Sequence, residues 1–318
     1  MGAACTSPVP MSFFTLIAAL LFDSARPLSW AGGMLGWFRR YADRLAHDMN
    51  AGKRVHGVVS WFAVVCPWVL AALVVFYLFH AVSPVLGWLW TVAVLYACIG
   101  FREVIQSLRD IFEALRAGDV DRARLLLATW RGGPVPQYGE REIAKATIEV
   151  ALVRVHREVF GVVFWFILLP GPAGALLYRL SAEIERYWGQ RTDEEFGAFG
   201  AFSVRAFRFL DWLPVRLSAI GFAIAGNFED AISAWRTQAR SWIDPSQGIV
   251  LASGAGALGI RLGGPMPLEA GVDFRPELGD GEEPDTEYLQ SALSLLWRTL
   301  IVWLVLLLLL TLARWAGG

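Results

Sequence analysis

The chain has 318 residues, of which 56% are hydrophobic and only 18% charged, and its formal net charge is −1. Such apolarity exceeds that of an ordinary soluble domain and calls for a lipid solvent. The balanced charge, with no compact Lys/Arg stripe, argues against a nucleic-acid partner.

Met1 to Thr6 fits the N-myristoylation pattern in form, but Met11 followed by an apolar stretch to Phe22 is the more natural start of the folded part. That stretch lacks a basic n-region and a small-residue cleavage site, so it is expected to be retained. With the arginines that follow, residues 1–57 read as an N-terminal apolar helix and a basic cytoplasmic segment. Cys5, Cys66 and Cys98 form no CxxC pair, and Cys66 and Cys98 lie inside apolar runs, which makes them packing residues.

Val58 to Phe79 carries no charge and spans about 22 residues, enough to cross a bilayer core as a helix. Pro67 should kink it. Pro84 opens the next run, so residues 58–101 read as a transmembrane hairpin, the only form that satisfies backbone amides in lipid at such close spacing. Arg26, Arg39, Arg40, Arg44, Lys53 and Arg54 precede it, and Arg102, Arg109, Arg116, Arg122 and Arg124 follow it. By the positive-inside rule both flanks are cytoplasmic, and the His80 to Ser83 turn is periplasmic.

Residues 102–158 read as cytoplasmic helices. Val104, Ile105, Leu108, Ile111, Phe112 and Leu115 recur at helical spacing, Gly118 can end the first helix and Asp119 can cap a second near Val120. Gly132-Gly133-Pro134 breaks the pattern, and Glu140 to Glu158 resumes it as a polar-faced helix. Residues 159–243 read as a membrane core with broken helices: Val159 to Leu169 is deeply apolar, Pro170-Gly171-Pro172 interrupts it, and the continuation to Leu180 suggests a re-entrant helix. Leu213 to Gly226, rich in small residues, is too short to cross alone. Residues 244–288 read as a Gly/Pro-rich cytoplasmic loop, and 289–318 as a C-terminal transmembrane helix, with Arg298 snorkelling near its start. The fold class expected is all-α, a polytopic helical membrane protein of the inner membrane.

Phe164-Trp165 and Gly171-Pro172-Ala173-Gly174-Ala175-Leu176-Leu177-Tyr178-Arg179, then Leu213-Pro214-Val215-Arg216-Leu217, then Ala255-Gly256-Ala257-Leu258-Gly259-Ile260-Arg261-Leu262-Gly263-Gly264-Pro265 with Arg275-Pro276-Glu277-Leu278-Gly279-Asp280-Gly281, resemble the CobD/CbiB family of cobinamide-phosphate synthases. Gly254 to Gly259 also satisfies GxGxxG, but no strand precedes it and no βαβ unit surrounds it, so a dinucleotide fold is excluded. A Gly-rich loop can still wrap a phosphate through backbone amides, or serve as a plain flexible loop.

The resemblance implies ATP-dependent joining of aminopropanol, or its phosphate, to a propionate of adenosylcobyric acid, with Mg²⁺ held against the phosphates. It implies Glu149 and Glu185 as the catalytic carboxylates, and Arg179, Arg205, Arg216, Gly256, Gly259, Arg261, Gly263, Gly264 and Asp280 as ligand-binding residues. Several family acids are replaced: Arg154, Arg157 and Arg208 stand where carboxylates are expected, which repels Mg²⁺ and favours a free anion. The family's N-terminal elements are reduced to Phe22-Asp23 and Arg26-Pro27.

Met11-Ser12-Phe13-Phe14-Thr15-Leu16 and Leu210-Asp211-Trp212-Leu213-Pro214-Val215-Arg216-Leu217 are similar to the related AmpE inner-membrane proteins, which are associated with β-lactamase control and cell-wall recycling. Two functions follow. The missing acids favour a non-catalytic, AmpE-like signalling or interaction protein with a membrane-protein partner. The glycine loop and the retained Glu149 and Glu185 favour the alternative, an amide ligase of cobalamin biosynthesis with a corrinoid ligand, Mg²⁺ and ATP.

Overall fold

The structure is a computed structural model and describes residues 9–25, 34–49, 54–133, 135–189, 197–268 and 271–317. The myristoylation pattern, Cys5 and the Arg26-Pro27 element lie outside them. The described residues form helices joined by short turns, plus four strands of two or three residues, so the all-α class holds. Among the described residues, three helices are long and apolar enough to cross a membrane: Val55–Val82, Pro84–Arg116 and Thr286–Ala313. The chain divides into two compact units, one of Met1–Gly100, Arg157–Trp212 and Leu308–Gly318, the other of Phe101–His156 and Leu213–Leu307.

The first unit contains α1 (Val9–Ala25), α2 (Met34–Met49), α3 (Arg54–Val82), α4 (Pro84–Cys98), α8 (Gly161–Leu168), α9 (Ala173–Trp188) and the first part of α10 (Gly197–Ala225). The expected α3–α4 hairpin is present. Ser83 caps α4 by accepting from the Val85 amide, Pro84 takes the first-turn position that needs no N–H, and the Trp90 indole donates to the Ala72 carbonyl across the pair. α3 continues through Pro67 without ending. The break at Pro170-Gly171-Pro172 folds α9 back along α8: Gly161 lies under the Tyr178 ring and Gly174 against the Trp165 carbonyl, so the two helices pair in opposite directions. A Cβ on Gly161 would stand 2.2 Å from the Tyr178 ring.

The second unit opens with α5 (Phe101–Arg116) and α6 (Val120–Arg131). Gly118 turns the chain at φ 76° and Asp119 caps α6 by accepting from the Arg122 amide, as the sequence indicates. All six apolar residues read on α5 are buried, each contributing about 2 kcal/mol of transfer free energy. α7 (Glu140–Val155) departs from expectation. It is not a polar-faced helix but is covered along most of its length, Lys145 and Glu149 included, because α5, α6 and the later helix α12 (Pro245–Leu258) pack around it.

Two further expectations need correction. Leu213 to Gly226 is not a separate short segment, since α10 runs unbroken from Gly197 through Pro214 to Ala225. Residues 244–288 are not a loop throughout: α11 (Phe228–Gln238) is followed by α12 (Pro245–Leu258), a buried helix built from the first glycines of that stretch. The reason is close packing, which outweighs the low helix propensity of glycine. A Cβ on Gly256 would stand 2.4 Å from the Asp230 carbonyl oxygen of α11, and one on Gly254 would stand 2.5 Å from Leu152. Beyond α12, β1 (Leu262–Gly263) pairs antiparallel with β4 (Glu277–Leu278), and β2 (Met266–Leu268) pairs with β3 (Gly271–Asp273). α13 (Thr286–Gly317) closes the chain.

Candidate functional site

α7 presents Lys145 and Glu149 one helical turn apart on one face. Glu149 is 8% exposed, and it holds the glycine segment together. Its Oε2 accepts from Arg275 Nη1 at 2.8 Å, and its Oε1 accepts from Arg275 Nη2 at 3.1 Å and from the Gly263 amide at 2.8 Å. Such bidentate, charge-assisted bonds are stronger and more directional than neutral ones. Arg275 also donates to the Gly264 carbonyl at 3.3 Å and lies over the Trp242 ring at 5.5 Å. Lys145, 7% exposed, donates to Glu283 at 3.3 Å.

The turns between α12 and α13 depend on glycine where the backbone is left-handed. Gly259 ends α12 at φ 65°, and Gly263 and Gly264 follow at 71° and 72°. Their amides are already engaged. Gly259 and Ile260 donate back to α12 carbonyls, Arg261 donates to Glu282, Gly263 to Glu149, and Gly264 to Pro276. The sequence left open a loop wrapping phosphate through backbone amides or a plain loop, and in the structure these five amides bond within the protein. Gly256 takes no part in a loop at all, because it is a packing position inside α12. Arg261 donates to the Gly281 carbonyl and pairs with Glu277 at 3.6 Å. Gln238 fixes the far end by accepting from the Gly279 amide and donating to Asp280 at 2.8 Å. The site therefore consists of a hydrogen-bonded turn bordered by cationic side chains, Lys145, Arg261 and Arg275, with Asp280 exposed at its edge.

A second charge cluster lies in the first unit. Arg179, 5% exposed, reaches Glu158 at 3.3 Å and Glu183 at 3.7 Å, and Arg39 reaches Glu183 at 3.1 Å. Glu158 belongs to a π-helical turn, His156–Phe160, a distortion frequent at functional positions. Burial drives the Glu183 carboxyl upward, but the guanidinium of Arg179 and then that of Arg39 outweigh it and hold the group below the usual carboxylate range. Arg157 pairs with Glu185 at 3.0 Å, and the Tyr178 hydroxyl donates to Asp211 at 2.7 Å. Arg154 pairs with Glu103 at 3.6 Å and stacks on Trp130, so both of these unexpected arginines have local partners.

The residues read from sequence are thus divided. Glu149, Arg216, Gly256, Gly259, Arg261, Gly263, Gly264 and Asp280 belong to the second unit, and Glu185, Arg179 and Arg205 to the first. Arg205 is exposed and donates to the Ala201 carbonyl one turn back. Sequence reasoning missed Glu158, Glu183, Lys145, Gln238 and the role of Arg275. Only Arg275 carried a signal, as the Arg-Pro of the glycine segment.

No group of three or more His, Cys, Asp or Glu side chains among the described residues has the arrangement of a metal site. Glu149, Glu158, Glu183 and Glu185 each face an arginine, so the residues present do not fit a resident Mg²⁺.

The model of the family described as "CobD/Cbib protein" matches residues 15–296. The chain is 36% identical over 300 residues to "Cobalamin biosynthesis protein CobD" of Stutzerimonas stutzeri, covering 93% of this chain and 97% of that one. It is 34% identical over 253 residues to the protein of the same name from Chromobacterium violaceum, covering 80% and 79%. It is 26% identical over 278 residues to "Cobalamin biosynthesis protein CbiB" of Salmonella arizonae, covering 85% and 86%. No solved structure matches. These matches support the cobalamin reading and lend none to the AmpE likeness.

Proposed function

The chain belongs to the CobD/CbiB family, and on that premise we propose that it is a multi-pass inner-membrane enzyme of cobalamin biosynthesis. In this reading it ligates aminopropanol, or its phosphate, to a propionate of adenosylcobyric acid at the expense of ATP. The observation that carries it is the Glu149–Arg275–Gly263 clamp, which fixes in one conformation the glycine segment most similar to the family's synthases. Near-full-length likeness to proteins named for cobalamin biosynthesis supports the same reading.

The reaction needs a substrate carboxylate oxygen to attack the γ-phosphorus of ATP, giving an acyl phosphate and ADP. The amine nitrogen then attacks the acyl carbon, phosphate leaves with the C–O bonding pair, and the nitrogen gives up a proton to form the amide. Little of this requires covalent chemistry from the protein. It requires orientation and compensation of developing negative charge. Lys145, Arg261 and Arg275 stand around the turn, each paired with a carboxylate (Glu283, Glu277 and Glu149) that an arriving phosphate would share, and Glu149 acts by holding that frame.

A bacterium deleted for its own adenosylcobinamide-phosphate synthase tests the reading. Expression of this chain should restore corrin-dependent growth on adenosylcobyric acid, and Glu149→Ala should not. Membrane expression without rescue overturns it.

A further inference from the structure

The second unit contains a cleft that shares no residue with the glycine-segment clamp. Arg109, Phe112 and Glu113 of α5 and Leu293, Trp297 and Arg298 of α13 line about 460 Å³ of it. Phe112 is buried and forms an apolar floor, while Trp297 is 47% exposed with its ring edge-on to Phe101 at a centroid distance of 4.8 Å. Arg109 and Arg298 are both exposed, and neither has an ion-pair partner among the described residues. Glu113 is the carboxylate on the rim, leaving the lining with one net positive charge.

The sequence of α13 indicates the depth of this cleft. Thr299 to Ala313 is uncharged and almost wholly apolar, within the candidate span Thr286–Ala313. Trp297 and Arg298 immediately precede it, the pairing that marks the edge of a hydrocarbon core, where the indole sits at headgroup depth and arginine reaches toward water. We propose that this cleft binds the headgroup of an anionic phospholipid. The two guanidinium groups meet the charged phosphodiester oxygens, and Phe112, Leu293 and Trp297 cover the start of an acyl chain. Inorganic phosphate would satisfy the arginines but leave the apolar side unused, which is why the lipid is the better occupant.

The test uses the full chain purified in neutral detergent and titrated with fluorescent phosphatidylglycerol and phosphatidylcholine analogues. Phosphatidylglycerol should bind about fivefold more tightly, the effect of about one net basic charge at a membrane surface. The R109Q/R298Q double variant should lose that preference with an unchanged thermal midpoint, and Glu113→Gln should strengthen it. Excess glycerophosphate should not displace the lipid. Equal affinity for the two lipids, a preference that survives in the double variant, or full displacement by glycerophosphate overturns the proposal.

Discussion

Arg275 and Glu149 are 126 positions apart in sequence and meet through two hydrogen bonds of 2.8 and 3.1 Å, with side-chain exposures of 16% and 11%. The pair converts a glycine-rich segment into a fixed turn. It also makes Glu149 an anchor of that segment, where the family resemblance alone implied a catalytic carboxylate.

Removing one member of a largely buried pair leaves the other charge uncompensated. Glu149→Leu should lower stability by about 3 kcal/mol, seen as a drop in the thermal midpoint in detergent. The Glu149→Leu/Arg275→Leu double variant should lose much less than the sum of the two single losses. Simple additivity in that cycle would show that the pair is not coupled.

Gly256 and Gly259 provide opposed expectations. Helix propensity alone predicts that Gly256→Ala stabilises α12 by about 1 kcal/mol. The 2.4 Å approach of its would-be Cβ to the Asp230 carbonyl predicts destabilisation by about 1 to 3 kcal/mol instead. Gly259→Ala has open space around the new methyl but a φ of 65°, so its loss should stay near 1 to 2 kcal/mol. Thermal midpoints of the two variants check the sign at Gly256.

Glu183 lies outside the three candidate spans, and its depressed pKa gives a pH dependence. A carboxylate held below its unfolded value, about 4.3, contributes stability that is present above that value and lost as pH falls through the folded one. The thermal midpoint should therefore be insensitive to this group between about pH 6 and 8 and fall on acidification below about 4. Glu183→Gln should flatten that acid limb. An unchanged acid limb would show that the Arg179–Arg39 environment does not hold the charge.

Gln238 bonds both Gly279 and Asp280 from α11. Gln238→Ala should leave the helices intact and raise amide hydrogen exchange selectively across residues 277–282, with a parallel fall in ligase turnover. Unaltered exchange there would mean that the turn is held without it.

The parts of the fold legible in the sequence are those fixed by local chemistry. The α5–α6 hairpin follows from apolar spacing and from Gly118-Asp119, and the α8–α9 reversal follows from Pro170-Gly171-Pro172. α12 was not legible, because a helix rich in glycine exists only where other elements approach closely enough to need it, and Asp230 and Leu152 are remote in sequence. The same holds at the site. Glu149 was legible as a retained acid, but Arg275, Lys145 and the Glu158–Arg179–Glu183 cluster depend on contacts with no local periodicity.

The central claim is tested most directly by turnover. Purified protein in detergent, given adenosylcobyric acid, aminopropanol phosphate and Mg-ATP, should yield the corrin amide by mass spectrometry, with stoichiometric ADP that depends on both acceptor and corrinoid. Folded protein that binds neither substrate and forms no amide would contradict the synthase account.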